Sequence, residues 1–208
     1  MNKIGLQREE ADARPGNAAA VFFSSWLRAP LKVAAIMPSS RHLGAAIARQ
    51  IDPARPGWVI ELGAGTGPVT AQLLARGIPP KRLFVLERDP VLVRFLRERQ
   101  PEPLLVEGDA AVLPELLERY EVNRVHAVVC GIPLLSMPAA AVDTIVTNCL
   151  KVLEPDGSLF QYTYSPVSPL PYRRYGLAVR AVRRILLNVP PAAVWRYGFA
   201  QAAGARLD

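Results

Sequence analysis

An α/β fold, with a mostly parallel sheet covered by helices on both faces, follows from three observations. Apolar runs of strand length recur from residue 58 onward, each followed by a stretch of helical periodicity. Those runs are continuously apolar rather than alternating, the pattern of strands buried on both faces. A glycine-rich turn, Gly63-Ala64-Gly65-Thr66-Gly67, joins the first run to the first helical stretch. The 208 residues suffice for one such core and a modest extension. The expected organisation is an N-terminal helical segment over 1–50 and an α/β core over 51–208.

The elements follow in order. The first fifteen or so residues are polar. Ala18 to Leu31 then carries a dense apolar cluster in which Ala19, Phe22, Phe23 and Trp26 fall on one helical face, with Arg28 and Lys32 just beyond. Ser40 to Gln50 predicts a second helix, capped by Ser39 or Ser40 after Pro38. The strands are WVIEL (58–62), RLFVLE (82–87), PLLVEGD (103–109), VHAVVCG (125–131) and SLFQYTYSP (158–166). Between them, 66–76, 91–99, 111–120 and 139–153 have helical periodicity, and Pro155-Asp156-Gly157 makes the turn before the fifth strand. Tyr172 to Asn188 predicts a further helix bearing Arg173, Arg174, Arg180, Arg183 and Arg184, and VWRYGF (194–199) one more strand after Pro190-Pro191.

Half of the residues are hydrophobic and 21% charged, which fits a folded chain and not a disordered one. The formal net charge of +7 points to anionic partners, either nucleic acid or an acidic membrane surface. Cys130 and Cys149 make neither a disulfide framework nor a zinc site, and a reducing cytoplasm is the expected compartment. The N-terminus is too charged for a secretory signal. No apolar run reaches transmembrane length, so any membrane contact is expected to be peripheral.

Glycines are required between the first strand and its helix because the chain turns sharply and its backbone must approach a ligand. Three acids surround that turn. Glu61 precedes it, where a carboxylate accepts from a ligand ammonium group. Glu87, followed by Arg88, ends the second strand and can bridge two ribose hydroxyls. Asp109, in Gly108-Asp109-Ala110, ends the third and can receive an adenine amino group. A dinucleotide fold shares the acid after strand two, but its third glycine comes one residue later than Gly67 does.

Glu61-x-Gly63-x-Gly65-x-Gly67, with Glu87 and Gly108-Asp109-Ala110, resembles the class I methyltransferases. That resemblance implies a Rossmann-like core and S-adenosylmethionine as methyl donor, held by Glu61, Gly63, Ala64, Gly65, Thr66, Gly67, Glu87, Arg88, Asp109, Ala110, Gly131 and Ile132. Ser39 and Ser40 either reach the donor carboxylate from a helix start or simply cap that helix. The loop after strand four, Gly131-Ile132-Pro133-Leu134, is similar to that of the ribosomal RNA adenine dimethyltransferases in its Ile-Pro pair. It lacks the Asn or Asp and the aromatic ring that handle a base.

Over residues 22–197 the chain more closely resembles the bacterial phospholipid N-methyltransferases of the rhizobial type (the PmtA family). FFSSWLRAPLKVAAIMPSS, VIELGAGTGPVT, GIPLLSMP, FQYTYSP and NVPPAAVWRY carry the likeness. It implies methylation of phosphatidylethanolamine toward phosphatidylcholine at the inner face of the cytoplasmic membrane, without nucleic acid or an obligate protein partner. The Gly131 carbonyl and the hydroxyl of Tyr162 or Tyr164 are candidates to hold the amine. Strand alternation, with Tyr164 near the strand end, favours Tyr164. His42 and His126 are isolated and are read as structural or exposed, so no general base is evident. The Phe22, Phe23 and Trp26 face fits a membrane contact, the protein core or an active-site lid. RNA base methylation is the alternative activity, and a donor-binding membrane adaptor the alternative without catalysis.

Overall fold

The computed structural model describes residues 39–163, 168–185 and 192–200. The Phe22, Phe23 and Trp26 face and Tyr164 therefore lie outside the described residues, as does Pro190-Pro191. Helix α1 (Ser39–Ala48) leads into alternating strands and helices: β1 (Trp58–Leu62), α2 (Pro68–Arg76), β2 (Leu83–Glu87), α3 (Pro90–Arg99), β3 (Leu104–Glu107), α4 (Leu113–Arg119), β4 (Val125–Cys130), α5 (Ala139–Val152) and β5 (Leu153–Thr163). Then come β6 (Leu177–Ile185) and β7 (Ala192–Phe199).

The seven strands form one sheet in the order β3-β2-β1-β4-β5-β7-β6. β1 to β5 pair in parallel, while β7 runs antiparallel to both β5 and β6. This is a Rossmann-like α/β sheet. Its order reverses between β1 and β4, and the crevice at the carboxyl ends of those two strands is where such sheets take ligands.

Side chains on the two sheet faces form two cores. One holds Ile60, Leu62, Phe84 and Val128 against Leu113, Leu117, Ile145 and Val146 of α4 and α5. The other holds Val59, Val85 and Val129 against Leu43, Ile47, Val69 and Leu73 of α1 and α2. Burial on both faces explains why the parallel strands read as unbroken apolar runs.

The structure corrects the tail. Residues 172–188 were expected to be helical, but only Tyr172–Tyr175 make a 3-10 turn, and Leu177–Ile185 is strand β6. Leu177 and Val179 pack into the first core from alternate positions. A bulge between Ala181 and Arg183 then shifts the register against β7 by one residue, which hides the alternation from a reading of period two. The arginines accordingly do not share one helical face. Arg174 pairs with Asp143 of α5 at 3.3 Å, and Arg180 stands opposite Arg196 of β7.

The expected turn at 155–157 is a bulge inside β5. Pairing with β4 jumps from Val125↔Leu153 to Ala127↔Ser158, so the strand starts at Leu153.

Candidate active site

The site is assembled on the turns that follow β1, β2, β3 and β4. The β1–α2 turn is a run of left-handed residues, Gly63, Gly65 and Gly67, with φ of 72°, 61° and 82°. Gly67 is the N-cap of α2, with Pro68 at the first helical position. A Cβ on Gly67 would meet Leu96 Cδ2 at 2.6 Å and the Gln100 amide at 3.0 Å, because α3 packs directly behind the turn. Gln100 also donates to the Gly67 carbonyl at 3.0 Å.

Glu87 ties this turn to the next strand. One carboxylate oxygen accepts the Gly65 N–H at 2.8 Å, and the other accepts the N–H groups of Arg88 and Asp89 at 2.8 and 2.9 Å. A buried carboxylate that receives three backbone N–H groups is fixed in direction before any ligand arrives. Arg88 projects outward and lies 3.7 Å from Asp109. Asp109 accepts the Ala111 N–H at 2.8 Å, which caps the short turn starting at the buried Ala110. Asn148 of α5 donates to the Ala111 carbonyl at 2.7 Å and pins the same turn from behind.

Glu61 is 2% exposed and receives the Thr70 hydroxyl at 2.7 Å. Burial pushes its carboxyl up to about 8, against the lowering effect of Thr70. Among the described residues no cationic side chain pairs with it. A desolvated carboxylate beside a glycine turn is suited to a ligand that brings its own ammonium group. With the glycine turn and the preset Glu87 carboxylate, this buried acid fits the ammonium and ribose groups of S-adenosylmethionine.

The β4 turn closes the other side of the crevice. The Gly131 N–H donates to the Leu62 carbonyl at 2.7 Å, so the turn crosses the end of β1. A Cβ on Gly131 would lie 2.7 Å from the Gly63 carbonyl and 2.9 Å from the Tyr162 hydroxyl. Ile132 lies against Gly63, and Leu134 is buried. Of the two tyrosines expected near the amine, Tyr162 is thus beside Gly131; Tyr164 is not among the described residues. Ser39 and Ser40 open α1, which packs on α2 next to the glycine turn.

Neither histidine joins the site. His42 is exposed on α1, and His126 lies buried at the opposite end of β4, with burial and Arg55 pushing it down to about 4. Cys130 and Cys149 are free thiols buried in the first core. Gln161, Asn148, Thr70 and Gln100 were not foreseen. The available signal was a polar residue inside an otherwise apolar run, clearest for Gln161 in SLFQY.

Residues 59–157 match the Methyltransferase domain family. The chain is 34% identical over 179 residues to the ornithine lipid N-methyltransferase of Singulisphaera acidiphila, covering 84% of this chain and 93% of that one. It is 40% identical over 96 residues to the ribosomal RNA small subunit methyltransferase A of a Synechococcus strain, but this spans only 31% of that protein. Among solved structures, a TehB-like S-adenosylmethionine-dependent methyltransferase from Corynebacterium glutamicum superimposes with a TM-score of 0.58. It is 15% identical, with 88% of this chain and 99% of that one covered. The magnesium protoporphyrin IX methyltransferase of Synechocystis, solved with S-adenosylmethionine bound, gives 0.60 at 12% identity, with 77% and 79% covered.

Proposed function

The chain belongs to the S-adenosylmethionine-dependent methyltransferases, in the family of the ornithine lipid N-methyltransferase, and from that premise we propose that it methylates the primary amine of a membrane-lipid headgroup. Phosphatidylethanolamine is the acceptor that the rhizobial-type resemblance implies, and ornithine lipid is the one named for the relative. The observation that carries the reading is the Gly131-Ile132-Pro133-Leu134 turn. It presents a glycine pressed between Gly63 and Tyr162, followed by a buried Leu134. A nucleobase amine needs a polar side chain and a stacking ring there; an alkylamine needs neither.

S-adenosylmethionine, when bound, supplies an electrophilic methyl group on a sulfonium, so positioning and a neutral amine do most of the work. Glu61 would pair with the donor ammonium, Glu87 would accept from its ribose, and Asp109 would accept from the adenine amino group. The Gly131 carbonyl and Tyr162 oxygen accept N–H bonds from the acceptor, which leaves the nitrogen lone pair directed into the crevice. The amine sheds its proton to water, since no described histidine or carboxylate other than the donor's own holders stands there. Among the described residues no helix is long and apolar enough to cross a membrane, and no group of three or more His, Cys, Asp or Glu is placed to hold a metal ion. In our reading the protein meets its lipid at the bilayer surface from the cytoplasmic side, as the rhizobial-type resemblance implies.

The test is transfer of labelled methyl by purified protein to vesicles containing phosphatidylethanolamine or ornithine lipid, set against total RNA. Label in the lipid fraction is the expected result. Dimethyladenosine in the RNA would replace this reading with base methylation.

A further inference from the structure

Gln161 is 2% exposed, on an interior strand between apolar neighbours. Its Nε2 donates to the Ile132 carbonyl at 3.0 Å and to the Tyr162 carbonyl at 3.3 Å. The reverse amide orientation would set oxygen against two carbonyl oxygens, so the nitrogen must face them. Among the described residues its buried Oε1 has no partner, and neither has the buried indole Nε1 of Trp195, which is its cross-strand neighbour on β7. An amide buried in this way costs free energy, and an apolar side chain of the same size would not. What the amide does there is hold the turn.

Gly131 has the widest choice of backbone conformation of any residue in that turn. The peptide preceding it is anchored by the Gly131 N–H to Leu62, and the Ile132 carbonyl is anchored by Gln161 and by the Leu134 N–H. The Gly131–Ile132 peptide lies between these two anchors and takes its direction from them. We propose that Gln161 is a positioning residue for methyl transfer, aiming the Gly131 carbonyl at the acceptor amine without touching donor or acceptor. This rests on the Gly131 carbonyl holding the acceptor, as in the proposed function, but not on that acceptor being a lipid.

The full chain is compared with Gln161→Met, which keeps the volume and loses the donor, and with Gln161→Glu. The acceptor is whichever of phosphatidylethanolamine vesicles, ornithine-lipid vesicles and RNA the wild type methylates. In Gln161→Met, kcat should fall by about 10- to 100-fold, the scale of a slightly misplaced reacting group. Donor Kd from calorimetry should stay within about twofold, since the anchors of the glycine turn are untouched. In Gln161→Glu, the ratio of its kcat to the wild-type value should rise as pH falls, because a carboxylic acid can donate to the Ile132 carbonyl and a carboxylate cannot. Wild-type kcat in both variants, a loss of donor binding parallel to the loss of kcat, or a pH-independent ratio would each overturn the proposal. Transfer to RNA alone would sink the lipid reading while leaving the ratios readable. A wild type that binds donor and methylates none of the three would overturn both.

Discussion

The Tyr162 hydroxyl stands 2.9 Å from the point that a Cβ on Gly131 would occupy. Gly131 sits in the turn after β4 and Tyr162 near the end of β5, yet no side chain fits between them, and the Gly63 carbonyl is closer still. Gly131→Ala should therefore displace the turn and abolish transfer while leaving a folded protein, with a stability loss of about 1–3 kcal/mol for overpacking. Tyr162→Phe removes only the oxygen and should lower kcat with donor Kd unchanged. Equal kcat for Tyr162→Phe and wild type would take the hydroxyl out of the mechanism.

Glu61 should make donor binding pH-dependent. With its carboxyl held at about 8 by burial, it is protonated in the empty site at neutral pH. Pairing with an ammonium needs the carboxylate, so binding at pH 7 should expel a proton. Calorimetry in buffers of different ionisation heat reads this directly, and affinity should weaken by about tenfold per unit as pH falls below 8. The folded value lies above the unfolded 4.5, so the group's stabilising contribution is complete below 4.5 and is lost as pH rises through about 8. Glu61→Gln should flatten that slope in thermal melts and eliminate proton release; unchanged release would assign the proton to another group.

Glu87 has two duties, since the carboxylate that would receive the ribose also holds Gly65. Glu87→Ala should weaken donor binding by at least one charge-assisted hydrogen bond, about 1.5–3 kcal/mol, or one to two orders of magnitude in Kd. A titration matching wild type would remove Glu87 from the site.

Gly67→Ala tests the turn itself. At φ 82°, with Leu96 Cδ2 2.6 Å from the added methyl, the substitution combines left-handed strain and a clash with α3. A loss of about 1–3 kcal/mol by denaturant unfolding is expected, and a neutral result would mean the turn has another conformation in solution.

The face of Phe22, Phe23 and Trp26, outside the described residues, is proposed to bury apolar surface in the bilayer, at about 25 cal/mol per Å2. Attraction of basic residues to anionic lipid is screened by salt, and apolar burial is not. Liposome binding should therefore weaken without vanishing as salt is raised. Replacing all three with Ser should sharply reduce liposome association and spare donor binding. Loss of donor binding with membrane association intact would make the segment a lid or part of the core.

The parallel half of the sheet was legible because it is written locally, and the residues proposed to hold the donor are local features of the same kind. Each β-α unit carries its own apolar run; Glu61 and Glu87 lie at the ends of β1 and β2, with Gly65 and Asp109 in the turns just after β1 and β3. β6 was not legible, since its alternation is broken by the bulge after Ala181 and its partner β7 lies beyond it in the chain. Gln161, Asn148 and Gln100 act over 29 to 37 residues of separation on backbone carbonyls, and a carbonyl has no signature in a sequence. Tyr162 was ranked below Tyr164 by strand alternation and position near the strand end; its nearness to Gly131 depends on how β4 and β5 are staggered, and Tyr164 lies outside the described residues.

The placement of β7 between β5 and β6 bears on how the protein is made. A ribosome delivers β7 after both of its neighbours, so β6 has no strand to join until residue 199 has emerged. The donor crevice needs only the units up to β4 and can close earlier. For the time it takes to synthesise residues 164–199, the nascent chain displays β5 as an open edge with Gln161 and Tyr162 on it, and an open edge of that kind accepts stray strands. Translation arrest or proteolysis after β6 would leave a fragment that still holds the glycine turn and its acids but is prone to self-association through β5.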